Sequence, residues 1–188
     1  NSTRIVRRNP TDSFDLTLAE IEAREQVYEL WHFLRDNIPG FENSRVLSTA
    51  IQIGTRESRM IDGEYCLTQE DLKNCVHFPD GIAAGNYDID IHNPEGSGTS
   101  HYFFAPGTWY TIPYRCLLPV GTKNLLVAGR CISSTHEAQA SYRIMPIVCC
   151  IGEAAGTAAG VACRTHTSLR GVDVEQVRAI LKAGGAPI

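Results

Sequence analysis

Residues Asn124–Arg164 decide the fold, and they read NLLVAGRCISSTHEAQASYRIMPIVCCIGEAAGTAAGVACR. The short apolar run Leu125–Ala128 stops at Gly129, which is typical of a strand buried on both faces of a parallel sheet. After a polar loop, residues 144–163 supply about five turns of small and apolar residues, which is long enough for a helix. A buried strand, a polar loop and a Gly/Ala-rich helix predict an α/β fold, specifically the end of a nucleotide-binding sheet.

Three glycines recur at every fourth position of this helix, namely Gly152, Gly156 and Gly160. They share one face, which we expect to press closely on another backbone. Dimerising transmembrane helices carry the same pattern, but Glu153 in mid-segment costs roughly 2.5–3.5 kcal/mol in a bilayer. We therefore expect no membrane partner, while a plain core helix without a ligand fits the periodicity equally well.

The charge balance of the 188 residues is 17 basic against 21 acidic side chains, a net charge of −4. No block of like charge occurs, so we expect neither nucleic acid nor an anionic membrane surface as a partner. Seven cysteines without a repeating spacing indicate reduced thiols and a cytoplasmic location. Self-association into a homo-oligomer is left open.

Several segments carry a resemblance to a known family. The segments VAGR, CISSTHEA, SYRIMP and GEAAGTAA resemble the C-terminal part of the bacterial FAD-dependent oxidoreductase family. The resemblance continues upstream through GTRESRMIDGEY, FPDGIAAGNYDIDIHNP and YTIPYRCLLP, and it is more distant for the fumarate-reductase and glutathione-reductase flavoproteins. It implies an FAD cofactor and hydride transfer between a small organic substrate and flavin N5.

The same resemblance implies a two-domain, Rossmann-like flavoprotein. We assign residues 1–120 to a mixed α+β substrate-cap region and residues 121–188 to the strand-loop-helix part of the FAD-binding domain. The G-x-G-x-x-G motif that binds a dinucleotide pyrophosphate has its nearest match at Gly96-Ser97-Gly98, which lacks the third glycine. Since the family carries this motif near its start, we expect a C-terminal fragment whose missing N-terminal FAD-binding half is its partner.

The start of the Gly/Ala-rich helix, at Ile144 and Met145, is the predicted contact with the pyrimidine end of the flavin. Unpaired N–H groups and a partial positive charge at a helix start stabilise the negative charge that reduction builds there. Arg143 is expected to add a full positive charge, and Ser141 lies in the same polar stretch. These four residues are predicted to bind the cofactor.

Gly129 and Arg130 are two further predicted cofactor contacts. They resemble the point where related flavoproteins touch the ribityl and pyrophosphate portion of FAD. Those relatives usually carry an acidic residue after the glycine, and Arg130 departs from that pattern, although VAGR matches the nearer family.

Four residues are candidates for catalysis. His136 resembles a histidine that lies beside the substrate in the fumarate-reductase group, and histidine is a common proton carrier in catalysis. His92, in the family's D-I-H-N-P segment, is a candidate acid/base or substrate contact. Arg56 and Arg59 match a G-x-R-x-S-R segment and would grip an anionic substrate in bidentate fashion, or else form exposed ion pairs.

Two rival functions stay open at this point. Strand alternation places Asp88, Asp90 and His92 on one face, and this set would suit a metal-dependent hydrolase, although such runs also form solvated strand faces. We assign no metal site. The second rival is a catalytically silent fragment or subunit that serves as a packing module.

The remaining pattern predicts elements on both sides of this stretch. The expected elements are a helix opened by a capping box at Thr17–Glu20 and ended at residues 39–40, a strand over Arg45–Ile53, a short helix starting at Thr68, strands over Tyr102–Phe104 and Trp109–Tyr114, and a final helix over Asp173–Lys182.

Overall fold

The computed structural model describes residues 3–92 and 98–188, which form a mixed α/β chain of helices and small sheets. The described residues divide into two compact units: unit 1 comprises residues 3–58, and unit 2 comprises residues 59–92 and 98–188. The boundary predicted near residue 120 falls inside unit 2. How the segments are shared between the cap and cofactor domains of a complete flavoprotein stays a prediction.

Unit 1 contains helix α1, Ser13–Asn37. The predicted capping box at Thr17 is wrong, because the helix begins one turn earlier. The Asp12 carboxylate accepts the backbone N–H groups of Phe14 and Asp15, and an aspartate at this position satisfies donors that a helix start leaves open. Among the described residues of unit 1, Ala19 alone is buried.

The strand predicted over Arg45–Ile53 is also wrong. These residues have no regular secondary structure, and the apolar side chains of Leu47 and Ile51 are almost fully exposed. Alternating apolar residues form a strand only where a neighbouring strand and a core receive them, and the described part of unit 1 has neither. The segment is instead tied to α1, since the Ile53 N–H donates to Glu20 Oε1 at 2.6 Å.

Unit 2 holds the remaining elements. In chain order they are α2 (Gln69–Lys73), β1 (Gly81–Gly85), β2 (Ile89–His92), β3 (Thr99–Tyr102), β4 (Tyr110–Pro113), a 3₁₀ turn (Tyr114–Leu117), α3 (His136–Tyr142), α4 (Met145–Thr165), a second 3₁₀ turn (Leu169–Gly171) and α5 (Val174–Ala183). The capping box predicted at Thr68 is confirmed, with Asp71 as its acidic partner. The final helix is confirmed as α5.

Two antiparallel pairs make up the sheets, β1 with β4 and β2 with β3. Gly85 of β1 lies opposite Tyr110 of β4. A Cβ atom at Gly85 would lie 2.7 Å from the Tyr110 ring and 2.8 Å from Ile147 Cδ1 of α4. This glycine therefore lets β1, β4 and α4 close on one another.

Helix α4 confirms the predicted Gly/Ala-rich helix and supplies one wall of the core. Its buried face carries Ile151, Ala154, Ala158 and Val161, and it packs against β1 and α5. By length and composition α4 would also suffice to cross a membrane, a test that core helices pass as well.

The opposite face of α4 differs from expectation. Gly152, Gly156 and Gly160 are exposed, and a Cβ atom at any of them would meet nothing within 4 Å. Within the part of the chain that the structure describes, no backbone presses on this stripe, so the expected close contact is not made by this chain.

The predicted buried strand at Leu125–Ala128 is wrong for this chain. The segment has no strand assignment, and Leu125 is half exposed. Val127 donates its N–H to Leu117 O at 2.9 Å, but among the described residues no strand pairs with it. A buried central strand needs neighbours on both sides, and these are not supplied by the described residues.

Candidate active site

The start of α4 is the predicted flavin contact, and it is open. Ile144 occupies the N-cap position and provides no side-chain hydrogen bond, while Pro146 follows in the first turn. The first N–H groups of a helix have no acceptor inside it, and they carry the positive end of the helix dipole. Met145 is 80% exposed, so this helix start lies at the protein surface.

Gly129 lies against this helix start. Its backbone has φ of +99°, a conformation that glycine adopts readily and other residues rarely do. A Cβ atom built on Gly129 would lie 4.0 Å from Val148 Cγ1, in the first turns of α4. Gly129 is therefore close to the first turns of the helix that begins after Ile144, and the contact of Gly129, Ile144 and Met145 with a cofactor stays a prediction.

Helix α3 fixes the loop that leads from Gly129 to α4. The sequence was read as a polar loop here, but residues 136–142 form a helix with Thr135 as N-cap. The Tyr142 hydroxyl bonds Ser134 Oγ at 2.8 Å and reaches the carbonyl oxygens of Arg130 and Ile132 at 3.3 and 3.4 Å. Tyr142 therefore holds the backbone of residues 130–134 to α3.

Arg143 caps α3 one residue before α4, and its charge is compensated. Its Nη2 donates to Asp90 O at 3.0 Å and lies 3.3 Å from Asp90 Oδ2, while its Nε donates to Ala140 O. The side chains of Arg143 and Asp90 are only 12% and 13% exposed. The expectation that Arg143 adds a full positive charge is corrected, because Asp90 offsets it.

Ser141 lies on the buried side of α3. Its hydroxyl bonds the Tyr110 hydroxyl at 2.7 Å and also the carbonyl of Tyr87, and the residue is fully buried. Burial raises the pKa of the Tyr110 hydroxyl above its usual value. In this chain Ser141 joins α3 to the sheet, and its direct contact with a cofactor stays a prediction.

His136 stands at the other end of α3 from Arg143, about 10 Å along the axis by helix geometry, and it is exposed. The neighbouring Glu137 carboxyl has a lowered pKa, chiefly because its own backbone N–H bonds to it. The Glu137 carboxylate therefore accepts a backbone N–H at the start of α3. The structure does not bring His136 and Arg143 together.

The other predicted site residues lie apart. His92 ends β2 and pairs through its backbone register with Thr99, while its side chain lies outside the described part of the structure. Arg130 is exposed beside Gly129, Arg56 is half-buried in unit 1, and Arg59 is exposed as the first residue of unit 2. Their predicted roles stay predictions.

The rival metal site is not supported by the side chains that are described. Among the side chains that the structure describes, which do not include that of His92, no group of three or more His, Cys, Asp or Glu is placed to hold a metal ion. Asp90, the central member of the proposed triad, instead binds Arg143 and lies 3.6 Å from His101 Nε2 through its other oxygen.

Comparison with known proteins gives a family. The model of the family described as FAD dependent oxidoreductase matches residues 1–181. This chain belongs to the FAD-dependent oxidoreductase family. No curated protein and no solved structure gives a significant match. The cofactor of this family is FAD, as the sequence resemblance implied.

The residues at the start of α4 fit the flavin ring of this FAD-dependent oxidoreductase. A helix start without a side-chain cap offers N–H donors to a group that becomes negatively charged. Ile144 and Met145 add apolar side chains at the same place, which suits a planar aromatic ring. Binding of the pyrophosphate portion by Gly129 and Arg130 stays a prediction.

Sequence reasoning missed two residues that shape the site, Asp90 and Tyr142. Strand alternation places Asp90 on a face with Asp88 and His92, but it cannot show that Arg143 at the end of α3 contacts Asp90. Tyr142 lies in a stretch whose polar sequence favours a loop. Thr135, a good N-cap residue three positions before Ala138, was the available signal for α3.

Proposed function

We propose that this chain supplies the flavin-ring half of an FAD site, at which a hydride passes between a small organic substrate and flavin N5. The observation that supports it is the uncapped start of α4 with Gly129 against its first turns. FAD supplies the hydride acceptor when bound, and the protein contributes binding and electrostatics. Ile144 and Met145 bind the ring, and the N–H groups of the first turn stabilise its pyrimidine end.

We assign the ADP half of the cofactor to a partner, an N-terminal segment with a G-x-G-x-x-G motif in a Rossmann-like sheet. Two open surfaces of unit 2 support this assignment. Leu125 is half exposed, and the segment Leu125–Ala128 has no strand partner among the described residues, so it could join a partner's sheet as a strand. The exposed stripe at Gly152, Gly156 and Gly160 admits a close backbone approach.

The substrate is proposed to be small and anionic. Arg56 and Arg59 suit a carboxylate, because a guanidinium matches it with two parallel hydrogen bonds. His92 and His136 are the proposed proton carriers, since imidazole titrates near neutral pH. On the sequence argument from its cysteines, we place the protein in the cytoplasm.

Binding of flavins separates this proposal from a silent packing module. We expect riboflavin and FAD to bind the chain alone with similar affinity, because the chain contacts the ring and not the ADP half. The binding is measured by the quenching of flavin fluorescence. Adding the segment with the G-x-G-x-x-G motif should tighten FAD binding and leave riboflavin binding unchanged. No binding of either flavin, with or without that segment, would favour the packing module.

Substitutions at Ile144 test the helix start itself. In Ile144→Asp the new carboxylate would cap the first-turn N–H groups and place negative charge there. We expect riboflavin affinity to fall about tenfold, equivalent to about 1.4 kcal/mol, without unfolding of the protein. Ile144→Asn adds a cap without charge, so its riboflavin affinity should lie between those of the wild type and Ile144→Asp. Ile144→Val should bind riboflavin like the wild type. Equal affinity in all four proteins would contradict the proposed contact.

A further inference from the structure

Asp90 is the acidic partner of Arg143, and the proposed flavin site gives this pair a second consequence. Arg143 directly precedes Ile144, the N-cap of α4. Asp90 holds the guanidinium through its backbone carbonyl as well as its carboxylate. Since both side chains are largely buried, the pair is weakly screened by salt.

Because Arg143 is next to the N-cap of α4 in the chain, the charge of this pair would influence a flavin bound at that helix start. An unpaired arginine there would add a full positive charge to the dipole of α4. Asp90 offsets that charge, so the positive charge added to the helix dipole is reduced. By Coulomb's law, one charge at about 10 Å with an effective dielectric constant of about 20 changes an equilibrium roughly tenfold.

We propose that Asp90 is a positioning residue that holds Arg143 against β2 and offsets its charge, and thereby lowers the reduction potential of FAD bound at the start of α4. This inference rests on the proposed function. It assigns Asp90 a role in tuning the cofactor rather than in metal binding. It requires no contact between Asp90 and the flavin, because the effect passes through the net charge of the pair.

The test is a charge cycle on the FAD-loaded protein, with reduction potentials measured against dyes at about pH 8, above the ordinary titration range of histidine. Asp90→Asn keeps an oxygen for Arg143 but leaves a net charge of +1. Arg143→Gln leaves −1, and the double variant is neutral like the wild type. Non-additive behaviour of a contacting pair is what such a cycle isolates.

We expect Asp90→Asn to raise the potential and Arg143→Gln to lower it. Each change corresponds to a roughly tenfold shift in the relative affinity for reduced and oxidised flavin, or about 30 mV for a two-electron couple. The reduction potential of the double variant should differ from the wild-type value by no more than about a third of the shift seen in either single variant. Shifts of the same sign in both single variants would mean structural damage and would overturn the inference.

A matched control lies elsewhere in unit 2. Asp80 binds Arg115 at 2.9 Å, and Asp80→Asn should weaken the fold without moving the potential. If Asp90→Asn does not fold, Arg143→Gln alone must still lower the potential, and an unchanged value overturns the inference. If the wild-type protein binds no flavin, the proposed function falls and this inference falls with it, whereas bound flavin with unshifted potentials removes the inference alone.

Discussion

At Gly129 the backbone adopts φ of +99° beside the first turns of α4. A side chain in this conformation costs about 1–2 kcal/mol. We therefore expect Gly129→Ala to lower the free energy of unfolding by about that amount in urea titrations. Gly152→Ala is the matched control, because its added methyl meets nothing within 4 Å and alanine favours a helix over glycine by about 1 kcal/mol. Effects of the same sign in both variants would contradict the backbone argument.

Cys116 makes stability depend on alkaline pH. Burial is the main cause that raises the pKa of its thiol from 9.0 to about 12. Above pH 9 the unfolded chain loses this proton while the folded chain keeps it, so the free energy of unfolding falls as pH rises. Below pH 9 the full stability is present. The slope is up to about 1.4 kcal/mol per pH unit for one group.

The measurement for Cys116 is urea unfolding between pH 9 and 10, below the range in which buried tyrosines contribute. Cys116→Ala should unfold more easily at every pH but with a flatter pH dependence. Cys163→Ala, which changes an exposed thiol, should keep the wild-type slope. An unaltered slope in Cys116→Ala would show that another group carries the effect.

Among single residues, the sequence indicates local features of the candidate site but not its long-range contacts. Gly129 does lie beside the first turns of α4, whereas cofactor binding by Gly129, Ile144 and Met145 stays a prediction. Asp90 could not be paired with Arg143, since the two are 53 positions apart and their contact depends on how α3 packs on β2. Long-range pairs of this kind leave no local pattern.

At the level of elements, prediction succeeded where the local signal agreed with packing. Helices α4 and α5 and the capping box of α2 follow from periodicity and caps within their own segments. The strands predicted at Arg45–Ile53 and Leu125–Ala128 failed, because a strand is defined by a neighbour that local sequence does not contain. The 25-residue helix α1 was found but began a turn earlier than its apolar pattern suggested.

The glycine stripe of α4 yields a prediction for this element. In the chain alone, Gly156→Leu should unfold no more easily than the wild type, since the position is open and leucine favours a helix over glycine. Added to the G-x-G-x-x-G segment, the same variant should fail to tighten FAD binding, because the side chain blocks close backbone approach. Riboflavin binding should be retained. Normal FAD binding by Gly156→Leu would exclude this face as the contact with the partner.

At the scale of the whole molecule, the two units differ in the size of their buried cores. Unit 2 contains a continuous core from α2 to α5, whereas the described part of unit 1 buries only Ala19. Local opening is easiest where few apolar contacts form. We expect trypsin to cut first after Arg45 and Arg59, both exposed in irregular backbone, and to leave residues 60–188 intact. Mass spectrometry of the fragments identifies the sites that are cut first, and first cuts after Arg115 or Arg143 would contradict this order.

Arg170 is expected to protect Lys123, an exposed lysine of unit 2, from trypsin. Its guanidinium binds the carbonyls of Pro119, at 2.7 Å, and Thr122, and it also pairs with Glu64. These bonds hold the loop that leads into Lys123, so the loop cannot enter a protease without breaking them. Arg170→Ala should add an early cut after Lys123, whereas Arg164→Ala, a change in the last turn of α4, should not. Cleavage at Lys123 at the same rate in wild type and Arg170→Ala would show that the loop is held by something else.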